Sequence, residues 1–148
     1  MRRTPVKVLR IVSLVIHGFV GLGALAGGTG AMLHPLAPMG TSAELLRNSP
    51  FETFFIPGLA LFGLIGLGNL AAFVMVLRSP RSLGYADGLS GATLLVWIVV
   101  QCVMMQLVNS FHVAFFGIGL VQALFATVAL FHHRQFPATM VVRFFGAR

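Results

Sequence analysis

The sequence predicts an all-α integral membrane protein, an antiparallel up-down four-helix transmembrane bundle with both termini cytoplasmic. Three observations carry that prediction. Of the 148 residues 57% are hydrophobic and only 9% are charged, with a mean hydropathy of +0.94. A soluble domain carries roughly 25% charged residues, so this chain lacks the polar surface to face water. Four apolar stretches, 11–33, 53–77, 83–108 and 111–131, are each long enough to cross a hydrocarbon core of about 30 Å, which takes about 20 helical residues. Lysine and arginine gather at one set of their ends. The length allows a single membrane domain over 1–148.

Backbone polar groups must be paired internally in lipid, and apolar runs of this length without alternation favour helices over barrel strands. The first span contains LVIHGFVGLGALAGG, preceded by Arg2, Arg3, Lys7 and Arg10. Its basic start, apolar core and Ala24-Leu25-Ala26 match the parts of a secretory signal. The apolar run continues to Leu33, however, which is long enough to span, so a retained first helix is expected. A Pro-rich loop over 34–52 follows. Thr41-Ser42-Ala43-Glu44 fits a capping box opening a short surface helix. Ser49-Pro50-Phe51-Glu52 fits a serine cap with proline at the first helical position, so the second helix is expected to run over about 50–77 with Glu52 at its positive end.

The remaining connections are a basic turn over 78–82 and a minimal Asn109-Ser110 turn. Short connections make consecutive helices antiparallel neighbours. Arg78 and Arg81 lie between the second and third spans, Arg134, Arg143 and Arg148 follow the fourth, and only Arg47 falls on the other side. The positive-inside rule then gives a multi-pass protein of the bacterial inner membrane, N-in and C-in. The tail 132–148 mixes arginines with Phe136, Met140, Phe144 and Phe145, the composition of a segment resting on an anionic leaflet.

Several function classes fall away. The formal charge of +7 comes from residues flanking apolar runs, not from a basic patch interleaved with aromatics, so nucleic acid is not a partner. Cys102 is the single cysteine, which excludes an intramolecular disulfide and a Cys-based metal site. Nucleophile–base pairs, phosphate loops and paired membrane carboxylates are missing, so an enzyme is not expected. A proton-coupled exporter is disfavoured because no acidic residue lies at mid-membrane.

Small residues recur four apart in Gly23-Gly27-Ala31, Gly68-Ala72, Gly84-Gly88-Ala92 and Gly119-Ala123-Thr127. In lipid such ridges permit the close backbone approach that holds helices together, within one bundle or between copies. GFVGLGALA and GLIGLGNLA share six of nine positions on helices of opposite direction, an arrangement seen in inverted-repeat transporters. Glycine and leucine dominate both, and no discontinuous helix supports a repeat.

Polar residues inside spans mark helix-to-helix hydrogen bonds or function. His17, Asn69 and Gln122 lie seven to nine residues from the basic-side ends of their helices, or roughly 10–14 Å deep at about 1.5 Å per residue. Asp87 and Ser90 fall at or slightly below that level. One reading is a network specifying helix pairing. The other is a polar pocket for a small ligand, formed by His17, Asn69, Asp87 and Gln122, with His17 and Asp87 exchanging a proton. Asp87 is also close enough in sequence to Arg78 and Arg81 to pair with them at the interface instead. Haem is disfavoured because a bis-histidine site needs two imidazoles at one depth, whereas His34, His112, His132 and His133 lie at the boundaries. His34, Glu44, Glu52 and His112 form a weaker alternative, a zinc-like site on the outer face, though their spacing matches no ligand motif.

Trp97 and Gln101 are four apart on one helical face, and Gln101 lies level with Pro57. Proline frees a backbone carbonyl, that of Thr53, which Gln101 would satisfy. Alternatively Pro57, Trp97 and Gln101 line a cavity for a lipid or quinone-like molecule. FETFFIPGLALFGLIGLGNLAAFVMVLRSPR and LLVWIVVQCVMM resemble a recurring type of uncharacterised small bacterial four-span membrane protein. There a Pro-Gly pair sits early in the second helix, and a Trp with Gln or Glu four later sits in the third. With VLRIVSLVIHG in the first span, the layout is similar to the DoxX-like family, some members of which are associated with quinone-linked oxidoreductases. The resemblance brings no catalytic motif. The expected function is a non-catalytic accessory or scaffold subunit, oligomeric or in a membrane complex. The alternative is a binder or carrier of a small hydrophobic molecule, lipid or quinone, within the bundle.

Overall fold

The computed structural model describes residues 5–140 and 142, with side chains for 7–140 and 142. Arg2, Arg3, Arg143, Phe144, Phe145 and Arg148, used above for orientation and the interfacial tail, lie outside the described residues. Helix α1, Pro5–Leu33, is 29 residues long, about 43 Å at 1.5 Å per residue. The second span comprises α2 (Phe55–Ala60), a π-helical segment (Leu61–Leu67) and α3 (Gly68–Arg78) in continuous succession. After a 3₁₀ turn at Pro80–Ser82 come α4, Leu83–Met105, and α5, Ser110–His132. All four spans are long and apolar enough to cross a membrane, which makes this an all-helical multi-pass membrane protein; no strand occurs among the described residues. Large apolar side chains such as Val15, Phe19, Leu89 and Phe111 are more than 60% exposed on the outside of the bundle, as a lipid-facing surface requires.

The second span starts at Phe55, which corrects the expected start at Pro50. Ser49 forms a turn inside the loop instead of a cap: its hydroxyl donates to the Leu46 carbonyl at 2.8 Å and accepts from the Phe51 amide at 3.2 Å. A tertiary anchor sets the start. Phe54 is buried with Ala31, Leu46 and Met104, and its amide bonds to the Pro35 carbonyl at 2.8 Å. Glu52 consequently lies exposed in the loop, not in a helical turn. Pro57 falls in the first turn of α2, where its missing amide would have had no intrahelical partner, so it makes no kink. The other loop signal gives a 3₁₀ turn over Ala43–Leu46, capped by Ser42, whose side chain accepts from the Glu44 amide at 3.2 Å. The third span ends at Met105, short of the expected Val108, because Gln106 turns left-handed at φ 49°. Helix α5 opens with a reciprocal capping box, in which Asn109 Oδ1 accepts from the His112 amide at 3.1 Å and His112 Nδ1 accepts from the Asn109 amide at 3.2 Å. Replacing Asn109 with Ala is expected to lower stability by about 1 kcal/mol, read as a drop in the thermal unfolding midpoint.

Two close helix pairs result. Helix α1 packs along the second span and α4 along α5, with thinner contact between the pairs. The buried ridge of α1 that meets the second span is Gly21, Ala24, Gly28 and Ala31; of the expected Gly23-Gly27-Ala31 ridge, Ala31 belongs to it, Gly27 meets Leu61 at its edge, and Gly23 faces open space. At the crossing a Cβ on Gly28 would lie 2.7 Å from the Gly58 carbonyl oxygen, and one on Gly58 would lie 3.0 Å from that of Gly28, so only glycine permits this approach. Gly91 and Gly119 form the equivalent crossing of α4 and α5.

Inside, the bundle is layered. An apolar cluster of Ala72, Val76, Leu83, Ala86 and Ala129 fills the end nearer Arg78 and Arg81. Another, of Val20, Ala24, Ile65, Leu94 and Ile98, fills the middle, and a third around Leu46 and Phe54 closes the far end. Polar side chains occupy the level between the first two.

Candidate functional site

Every span sends a polar side chain to that level. Ser13 and His17 stand four apart on α1 and so share a face; Asn69 comes from α3, Asp87 from α4 and Gln122 from α5. All five are buried, none more than 2% exposed, and Ser90, three residues beyond Asp87 on α4, is 8% exposed. The expected layer of His17, Asn69, Asp87 and Gln122 thus comes together in space, which residue depth along each helix had indicated. Ser13 was not singled out from the sequence, although its position one turn before His17 was a usable signal.

The geometry is closely connected. Asn69 Nδ2 donates to the Ile65 carbonyl at 2.9 Å, which turns the amide oxygen toward His17. That oxygen lies 2.9 Å from His17 Nδ1 and 3.4 Å from Gln122 Nε2. Gln122 Nε2 is also 3.3 Å from His17 Nδ1. On the opposite side of the ring, His17 Nε2 lies 2.9 Å from Asp87 Oδ1. The two atoms are in close contact, but their alignment is too poor for a hydrogen bond, and Nε2 has no better partner. Ser13 Oγ donates to the same carboxylate oxygen at 2.7 Å. Asp87 Oδ2 and Gln122 Oε1 are buried without a hydrogen-bond partner.

The π-helical segment belongs to this site. A π turn displaces the i→i−4 ladder, and Asn69, two residues beyond its end, bonds back to a carbonyl within it. Asp87 pairs with His17 and Ser13, which corrects its alternative assignment to Arg78 and Arg81. Arg10 instead serves the end of the second span, its guanidinium donating to the Val76 carbonyl at 3.2 Å and the Leu77 carbonyl at 2.8 Å, as a cation at a helix C-terminus does.

The other expected residues lie away from this layer. Pro57 is buried in the first turn of α2, Trp97 is half-buried against the middle apolar cluster, and the half-buried Gln101 makes no hydrogen bond to the second span among the described residues. Gln101 therefore does not serve Thr53, since the helix starts beyond that residue. Trp97 Nε1 is buried without a partner. The zinc-like alternative is overturned: no group of three potential ligands occurs among the described residues. His112 is committed to its capping box, while His34, Glu44 and Glu52 are exposed. At the opposite end His133 is held below the usual imidazole range by burial, reinforced by His132 and Arg81. A separate groove of about 510 Å³ opens between α4 and α5, lined by Ile98, Cys102, Gln106, His112 and Phe116 among others.

Fold and site together define an α-helical multi-pass membrane protein with an interhelical polar core. Set against protein families, curated proteins and solved structures, the chain matches none.

Proposed function

We propose that this protein is a non-catalytic accessory or scaffold subunit of a bacterial inner-membrane complex, built as an antiparallel bundle with both termini cytoplasmic. The antiparallel reading is supported by helix register: Gly18, Gly21 and Gly28 face Phe73, Leu70 and Phe62 in turn, and Gly84 and Gly91 face Leu130 and Gln122. The orientation is supported by the Lys and Arg distribution. One observation carries the functional reading. The five polar side chains are enclosed between two apolar layers and directed at one another, so their chemistry is used for helix pairing, and contact with other molecules falls to the outer surface.

A second reading, retention of a lipid or quinone, is favoured by the α4–α5 groove, apolar in its walls with Gln106 and His112 among its lining. The resemblance to DoxX-like proteins points the same way. Native mass spectrometry of gently extracted protein separates the two. The scaffold reading expects an assembly, of copies or with a partner subunit, that carries no stoichiometric small molecule. A monomer retaining one quinone or one lipid per chain would overturn it in favour of the groove.

A further inference from the structure

The buried core contains a group whose proton count follows from its neighbours. Only the NH₂ end of the Asn69 amide can serve the Ile65 carbonyl, so the oxygen end faces His17 Nδ1 at 2.9 Å. An amide oxygen has no hydrogen to give, so the ring nitrogen supplies it and Nδ1 carries a hydrogen, while Gln122 Nε2, 3.3 Å from Nδ1, donates to the same Asn69 oxygen at 3.4 Å. Nε2 then stands 2.9 Å from Asp87 Oδ1. If Nε2 bore only its lone pair, it would press against a carboxylate oxygen, with nothing between two regions of negative charge. A second hydrogen on the pair removes the conflict, on Nε2 as imidazolium or on Asp87 as the acid, by cancelling charge and not by a hydrogen bond, for which the two atoms are poorly aligned.

Charge balance agrees. Among the described residues the other side chains bonded to or beside the pair are neutral: Ser13 from α1, Asn69 from the second span and Gln122 from α5. Arg10 is held at the Val76 and Leu77 carbonyls. With the second hydrogen the core is neutral. Without it one uncompensated negative charge is buried between two apolar layers, an arrangement of high free energy in hydrocarbon.

We propose that His17 and Asp87 form a proton-binding site that clasps the two helix pairs, holding one proton on the pair, on Nε2 or on the Asp87 carboxyl, in addition to the hydrogen on Nδ1. His17 belongs to the α1/second-span pair and Asp87 to the α4/α5 pair, so the proton lies at their junction. The apolar clusters on either side separate it from both faces of the bundle, which makes it a fixed structural ligand and not a travelling one. This inference is independent of the scaffold reading, because it concerns hydrogens on two side chains and not assembly.

The test is ¹⁵N NMR of histidine-labelled protein in lipid nanodiscs at neutral pH, with infrared spectroscopy of the carboxyl region. The expected wild-type result is hydrogen on both His17 nitrogens, or on Nδ1 alone with a protonated-carboxyl band. Asp87→Asn, nearly isosteric, is expected to remove the second proton: an imidazolium reverts to Nδ1–H imidazole, or the carboxyl band disappears. A wild-type ring bearing hydrogen on Nε2 alone, or on Nδ1 alone with no protonated-carboxyl band, overturns the proposal, as does an imidazolium that persists in Asp87→Asn. The wild-type spectrum decides the matter even where the variant does not fold.

Discussion

Asp87→Ala is expected to destabilise the bundle by about 3–5 kcal/mol, the range for removing one partner of a buried ion pair. The carboxylate is fully buried and accepts from Ser13 at 2.7 Å while facing His17 at 2.9 Å. Its loss leaves the Ser13 hydroxyl and the His17 ring edge without a partner in a site that water does not reach. Gln122→Ala is the internal comparison. Its polar contacts, at 3.3 and 3.4 Å, are long, and hydrogen bonds between membrane helices average about 0.6 kcal/mol in double-mutant cycles. The ranking is the stringent part: Asp87→Ala should exceed Gln122→Ala severalfold in equilibrium unfolding from lipid or mild detergent. Replacing His17 with Leu in the Asp87→Ala background should recover part of the loss, because it removes the ring nitrogen Nε2 left facing the vacated site. If Asp87→Ala and Gln122→Ala prove equally mild, charge does not govern this core.

What could be read from the sequence divides along a physical line. Span number and the level of the polar residues follow from hydropathy and from a fixed rise per residue, both local properties of a single helix. Counting residues from Arg10, Arg78 and Phe131 was enough to bring His17, Asn69 and Gln122 to one depth. Features decided by a neighbouring helix were not legible. Ser49-Pro50 carries every local sign of a helix start, yet Phe54, held by Pro35 and by the cluster around Leu46, sets the start at Phe55. In GFVGLGALAGG the glycines satisfy two ridges at helical spacing, one through Gly23 and one through Gly21 and Gly28. Only the position of Gly58 and Gly66 on the facing helix selects between them. The π-helical segment is similar: LFGLIGL shows nothing but apolar residues and glycine, and the stabilising partner, Asn69, lies outside it. The same holds for the α4–α5 groove, whose lining joins residues from two spans.

Gly28→Leu is expected to have the second large effect, and its cause is steric instead of electrostatic. A Cβ there would sit 2.7 Å from the Gly58 carbonyl oxygen and from the backbone nitrogen and Cβ of Phe62. These are atoms of the helix framework and cannot rotate aside, unlike the Leu25 side-chain end that a Cβ on Gly66 would meet first. The helices must separate. Overpacking a well-filled core costs about 1–3 kcal/mol, and separation of α1 from the second span adds a further loss, because Gly28 lies on the same face as Gly21 and His17. Moving that face away lengthens the 2.9 Å contact between His17 and Asn69. Gly23→Leu, five residues earlier on α1 and on another face, is the matched control: its Cβ meets nothing within 4 Å. Unfolding measurements should therefore show a loss of about 3 kcal/mol for Gly28→Leu and little change for Gly23→Leu; equal losses would mean that the helix crossing is not at Gly28. The control also bears on assembly. Should Gly23→Leu leave monomer stability intact but dissociate the native complex, the outward face of α1 is where a partner helix packs, since in lipid a small residue is what lets a second backbone approach.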